Sequence, residues 1–118
     1  MPSVALKPQT VDCGLWYTSP AAEASKTVLA GKGVLHTLIV SNSNVAARYI
    51  WVFDSLTATG TPLLAPIAVP LSGSAVVSLQ VSIPFTVGLT IASSSTQATF
   101  TAGTADMQIT AGYARRAP

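Results

Sequence analysis

Three segments of the chain alternate apolar and polar residues with a period of two. In AVVSLQVSI (75–83), Val77, Leu79, Val81 and Ile83 share a face opposite Ser78, Gln80 and Ser82. In TVGLTIA (86–92), Val87, Leu89 and Ile91 oppose Gly88 and Thr90. In DMQITAGY (106–113), Met107, Ile109, Ala111 and Tyr113 oppose Gln108, Thr110 and Gly112. Successive side chains of a strand point to opposite faces, so this pattern predicts strands with one buried face. Upstream, KTVLA (26–30) is short and β-compatible, and VLHTLIV (34–40) is rich in β-branched residues. Gly31 and Gly33 bracket Lys32 between them, which predicts a tight turn or a bulge. SNSN (41–44) predicts the next turn, and ARYIWVF (47–53) the next strand, ending at Asp54.

That last strand breaks the alternation. Tyr49, Trp51 and Phe53 fall on one face and Ile50 and Val52 on the other, so both faces are apolar. A strand of this kind is covered on both sides. One side meets the core. The other must meet the N-terminal arm of residues 1–25, a neighbouring subunit or a ligand such as a sugar.

The remaining segments are less regular. SLTATGTPLLAPIAVPL (55–71) contains Gly60, Pro62, Pro66 and Pro70, which exclude a helix and a central strand. It reads as a connection with one short edge strand near Ile67 to Val69. SSSTQ and TAGT supply turns around a short ATFTA strand (98–102), in which Phe100 can point inward. Residues 1–25 read as an extended N-terminal arm restricted by Pro2, Pro8 and Pro20. The arm holds Val11, Leu15, Trp16 and Tyr17, so its middle is expected to dock on its own domain or on a neighbour. No segment carries a helical pattern. About eight short strands between Gly, Pro and Ser turns predict an all-β, antiparallel sandwich or barrel. The expected layout is an arm over 1–25, one domain over 26–114 and a short tail over 115–118.

Composition changes this picture in one respect. The chain of 118 residues is 49% hydrophobic but only 8% charged, against about 25% charged in a typical soluble domain. A free monomer spreads charge over its surface to avoid self-adhesion. Scarce charge suits a surface covered by other subunits in a large assembly. The net charge of +2 and the scattering of Lys7, Lys26, Lys32 and Arg48 give no nucleic-acid surface. Arg115 and Arg116 read as a solvated end. Cys13 stands alone, so no intrachain disulfide is possible. MPSVALKPQT has no apolar leader core, and no apolar run approaches the roughly 20 residues of a membrane span. Assembly in a cytoplasm is the expectation.

Candidate chemistry is thin. His36 is the only histidine, and the acids are Asp12, Glu23, Asp54 and Asp106. A zinc site needs about four ligands, and one His and one Cys far apart do not supply them. Cys13 and His36 as a nucleophile pair lack an orienting third group. Asp54 and Asp106 could be a glycosidase pair, but each sits beside turn residues, where aspartate caps backbone. GKG is a turn, not a phosphate loop. The chain therefore reads as a binding protein, with no catalytic, metal or cofactor residues. The aromatic residues Trp16, Tyr17, Tyr49 and Trp51 are the candidate interface, since Trp and Tyr present large rigid faces. Trp16 and Tyr17 are the candidates to cover Tyr49 and Trp51.

The order of elements also carries a resemblance. KTVLAGKGVLHTLIVSNSNVAARYIWVFDS, then PLLAPIAVP, IPFTVGLTIASSST and a final ADMQITAGYA resemble a group of small tailed-phage virion proteins. The features are Gly33, Leu35 and His36, Asn42, Phe53 and Asp54, Phe85, Gly88 and Leu89, and Tyr113, across about residues 26 to 114. The resemblance implies a jelly-roll-like β-sandwich located in the virion, on the outer capsid surface. It implies a capsid decoration (cement) protein that self-associates as a trimer and bridges the major capsid protein. Head fibre, tail or baseplate accessory proteins are the alternative within the resemblance. A carbohydrate-binding module, with Tyr49 and Trp51 stacking on sugar, is the alternative from another class.

Overall fold

The computed structural model describes residues 12–116, with side chains for all of these except 12, 13 and 77–81. The described residues form eight strands. These are β1 (Asp12–Thr18), β2 (Ser25–Ala30), β3 (Gly33–Asn42), β4 (Arg48–Asp54), β5 (Ile67–Val69), β6 (Ser74–Phe85), β7 (Gly88–Ser94) and β8 (Met107–Arg115). They make two four-stranded antiparallel sheets, ordered β1-β8-β3-β6 and β2-β7-β4-β5. The pairs β1–β8, β2–β7, β3–β6 and β4–β5 are nested within one another along the chain. The topology is a long hairpin, tipped by β4 and β5, rolled so that successive pairs alternate between sheets. This is a jelly-roll sandwich.

The period-two pattern explains the packing. Leu35, Leu38, Val40, Ile50, Val52, Phe85, Leu89, Ile91, Met107, Ile109 and Ala111 project between the sheets and are buried. Tyr113 and Ile67 pack against the same cluster. Val87, expected on this face, instead lies in the β6–β7 turn and is exposed. The side chains of Val77, Leu79 and Val81 fall outside the described set.

Two turns are held by polar side chains that the sequence placed there. In the SNSN turn, Asn42 is buried and its amide nitrogen donates to the Ala46 and Pro70 carbonyls, while its oxygen accepts from the Asn44 amide. At the opposite end, the Asp54 carboxylate accepts from the backbone amides of Thr86, Val87 and Gly88 at 2.8–3.3 Å and pins the β6–β7 turn. Gly33 is required for close packing. A Cβ there would stand 2.5 Å from the Ala114 carbonyl oxygen and 2.8 Å from the Phe85 ring.

The arm takes one of its two expected places, and one later segment differs from the sequence reading. The middle of the arm docks on its own domain, as strand β1 at the edge of the first sheet. Gly14, at φ 72°, lies where the β1–β8 register shifts, so the bulge masks the alternation. The part of the arm over residues 1–11 lies outside the described residues. ATFTA is not a strand beyond an isolated bridge between Ser94 and Ala102. The Ser94 hydroxyl binds this loop instead, donating to Thr96 O and accepting from Thr101 N.

Candidate functional site

The second apolar face of β4 is covered by its own chain. Tyr49, Trp51 and Phe53 register with Ser94, Ala92 and Thr90 on the outside of the second sheet. The β4–β5 and β7–β8 loops fold back across that outside. Phe100 stands edge-on to Trp51 at 5.6 Å and to Phe53 at 5.5 Å, and Trp51 stacks on Phe53 at 5.9 Å. Ala58 and Tyr49 complete this second, smaller core. The loop is tied down by Thr27 Oγ1 donating to Leu56 O, and by Thr90 Oγ1 donating to Ser55 O.

This placement corrects the expected interface. Trp51 is 7% exposed and is a core residue, because Phe53 stacks on its ring and Phe100 meets it edge-on. Trp16 and Tyr17 do not cover it, since β1 belongs to the other sheet. Tyr17 is half-buried in a polar network. Its hydroxyl and that of Ser19 donate to the Glu23 carboxylate at 2.5 and 2.7 Å, and the Lys26 ammonium lies over its ring. Burial, then the Glu23 contact, pushes the Tyr17 hydroxyl above its ordinary range. Tyr49 is half-buried at the margin of the aromatic core. The four aromatic residues thus divide between two sheets and make no single surface.

What remains outward is the first sheet. Its register sets Trp16 beside Gly112, which in turn pairs with Thr37. The next row is Thr18, Thr110, Ile39 and Val76, and the one after is Gln108, Ser41 and Ser74. No charged residue occupies any of these positions. Trp16 is 54% exposed, Ile39 38% and Val76 66%. Trp16 is positioned by glycine: a Cβ on Gly112 would come within 2.8 Å of the indole and 2.6 Å of His36 Cε1. The His36 ring meets the indole edge-on at 5.7 Å. A bulge in β3 between Leu35 and Thr37 turns His36 toward Trp16. The sequence named Trp16 but missed Ile39 and Val76. Only strand register shows that these three share a face.

Among the described residues, no group of three or more His, Cys, Asp or Glu is placed to hold a metal. Asp54 and Asp106 lie at opposite ends of the sandwich. Asp106 accepts from the Asn44 amide and the Thr104 hydroxyl and lies 3.7 Å from Arg48. Both carboxyls act as turn clamps. The chain matches no protein-family model, no curated protein and no solved structure. Its class is therefore defined by architecture alone, as an all-β jelly-roll sandwich.

Proposed function

We propose that this protein is a structural component of a bacteriophage particle, a capsid decoration protein that binds and stabilises the lattice of the major capsid protein. The observation that carries the reading is the charge-free outer face of the β1-β8-β3-β6 sheet, with Trp16, Ile39 and Val76 exposed on it. Four strands about 4.8 Å apart and a few residues of each give a patch roughly 15 Å on a side. That is well short of the ~800 Å² per partner of a stable pairwise interface. One such contact is weak, but a trimer engaging neighbouring lattice sites gains avidity. The absence of charge lowers the desolvation cost of each contact. The jelly-roll topology is in keeping with this, being frequent among viral capsid domains.

The sugar-binding alternative loses its platform, because the Tyr49–Trp51 face lies under Phe100. The test is cryo-electron microscopy of particles with and without the protein. Added density at three-fold or quasi-three-fold positions of the capsid is expected, and lost for Trp16→Ala combined with Val76→Ser. Density at the tail or on fibres would replace this reading with the accessory-protein one.

A further inference from the structure

The sandwich end opposite Asp106 carries a cavity of about 270 Å³ lined by Ala30, Gly31, Lys32, Thr86, Arg115 and Arg116. Its frame is fixed by backbone. The Gly31 amide, at φ 128°, donates to Val87 O at 2.9 Å, and the Arg116 amide donates to Lys32 O at 3.0 Å. Half of the chain's six basic residues line this one cavity, and no acidic residue does among the described side chains; Arg115 is already engaged and stands opposite Asp12 in the β1–β8 register.

The charge inventory of the described side chains sharpens the point. Glu23 is taken by Tyr17 and Ser19, Asp54 by three backbone amides, and Asp106 by Asn44, Thr104 and Arg48. Lys26 lies over Tyr17, and Arg48 beside Asp106. Lys32 and Arg116 are left with no side-chain partner among the described residues, and both line the cavity. In a chain so poor in charge, two cations with no side-chain partner among the described residues converge on one concavity, which favours an anionic group there.

We propose that this cavity docks the carboxylate of an acidic side chain on a different protein, fixing the orientation that the uncharged sheet face leaves unspecified. This rests on the reading that the chain binds a protein partner. The volume falls below the ~300–1,000 Å³ usual for small-molecule sites and suits a single side chain. Glu23, Asp54 and Asp106 of a second copy are already engaged, which favours a different protein as the donor. Arginine supplies the planar fork that grips a carboxylate, and lysine a point charge beside it.

The experiment is a heteronuclear NMR titration of the ¹⁵N-labelled full chain with a hexaglutamate peptide, and in a parallel arm with inorganic phosphate. Amide shifts are expected at Gly31, Lys32, Thr86, Arg115 and Arg116, shrinking as salt is raised. They should be about tenfold weaker in affinity, or absent, in Lys32→Glu/Arg116→Glu. Dispersed resonances in that variant confirm that it is folded. Arg116→Gln alone is the milder control. No shifts at these residues, or shifts unchanged in the folded double variant, overturn the proposal. Phosphate binding as tight as the peptide overturns the choice of a protein carboxylate. The titration involves no virus particle, so its failure and that of the capsid reading are separate results.

Discussion

Trp51 offers the sharpest test of how this sandwich covers its second sheet. The indole is 7% exposed, stacks on Phe53 and meets Phe100 edge-on. Its Nε1 is buried and has no hydrogen-bond partner among the described residues. Trp51→Ala removes the whole ring and should cost about 3–5 kcal/mol, roughly a fifth or more of the ~5–15 kcal/mol that holds a domain together. Trp51→Phe is a different experiment. It forfeits the buried area of one fused ring, worth about 1–2 kcal/mol. It also removes an unpaired N–H whose burial costs about 1–3 kcal/mol. The two effects oppose, so the net change should lie between a loss of about 1 kcal/mol and a gain of about 2 kcal/mol. The assay is urea denaturation followed by far-UV circular dichroism, with equal slopes required of all three proteins. If Trp51→Ala costs under about 1 kcal/mol, the ring is not core and the aromatic cluster is misassigned. If Trp51→Phe costs as much as Trp51→Ala, the N–H is bonded and the opposition argument fails.

Gly33→Ala drives a methyl group into the Ala114 carbonyl and the Phe85 ring. The β3–β8 ladder must shift, and a loss of about 1–3 kcal/mol is expected by the same denaturation assay; a neutral result refutes the close approach. Trp16→Ala removes a half-exposed ring, so the urea midpoint should move by less than about 0.5 kcal/mol equivalent while binding to particles falls; a large stability loss would make Trp16 structural. Asp54 titrates below the ordinary carboxylate range. Burial pushes its carboxyl up, but the amides of Val87, Thr86 and Gly88 and the Thr86 hydroxyl outweigh it. A depressed folded-state pKa contributes stability above the unfolded value of about 3.9 and loses it as pH falls through the folded one. Wild type should therefore hold its urea midpoint at neutral pH and lose it below about pH 4, whereas Asp54→Asn starts lower and falls less steeply. An equally steep acid limb in the variant would remove Asp54 as a cause.

The alternation located both β7 and β8, but only β8 keeps partly exposed polar positions between its buried ones; β7, expected to bury one face, is buried along its whole length, because the cluster of Trp51, Phe53 and Phe100 packs against its Ala92. Met107, Ile109 and Ala111 of β8 and Leu89 and Ile91 of β7 lie in the core where the period places them. β1 was illegible as a strand. Leu15, Trp16 and Tyr17 are contiguous, and the Gly14 bulge resets their register. RYIWVFDS announced that its second face is covered, but not by what. Phe100 reaches it from a loop distant in sequence, and no local pattern encodes that contact. The candidate face was half legible. Trp16 stood out by residue type, whereas Ile39 and Val76 became its neighbours only through cross-strand pairing. The charge inventory was visible from the start, but the meeting of Lys32 with Arg116 depends on the β2–β3 turn touching the end of β8.

The nesting of the strand pairs also sets an order in time. Each pair encloses the one before it, so the β4–β5 tip closes the shortest loop and β1–β8 the longest. Loop closure costs more as the enclosed chain lengthens, and folds dominated by such distant pairings form slowly. β1 is an edge strand, bonded on one side only to β8. It is thus the strand expected to join last and to fray first, exchanging its amide hydrogens ahead of β3 and β7. Trp16 rides on that strand, so the proposed contact surface would be finished only when folding is, and incompletely folded chains would not present it.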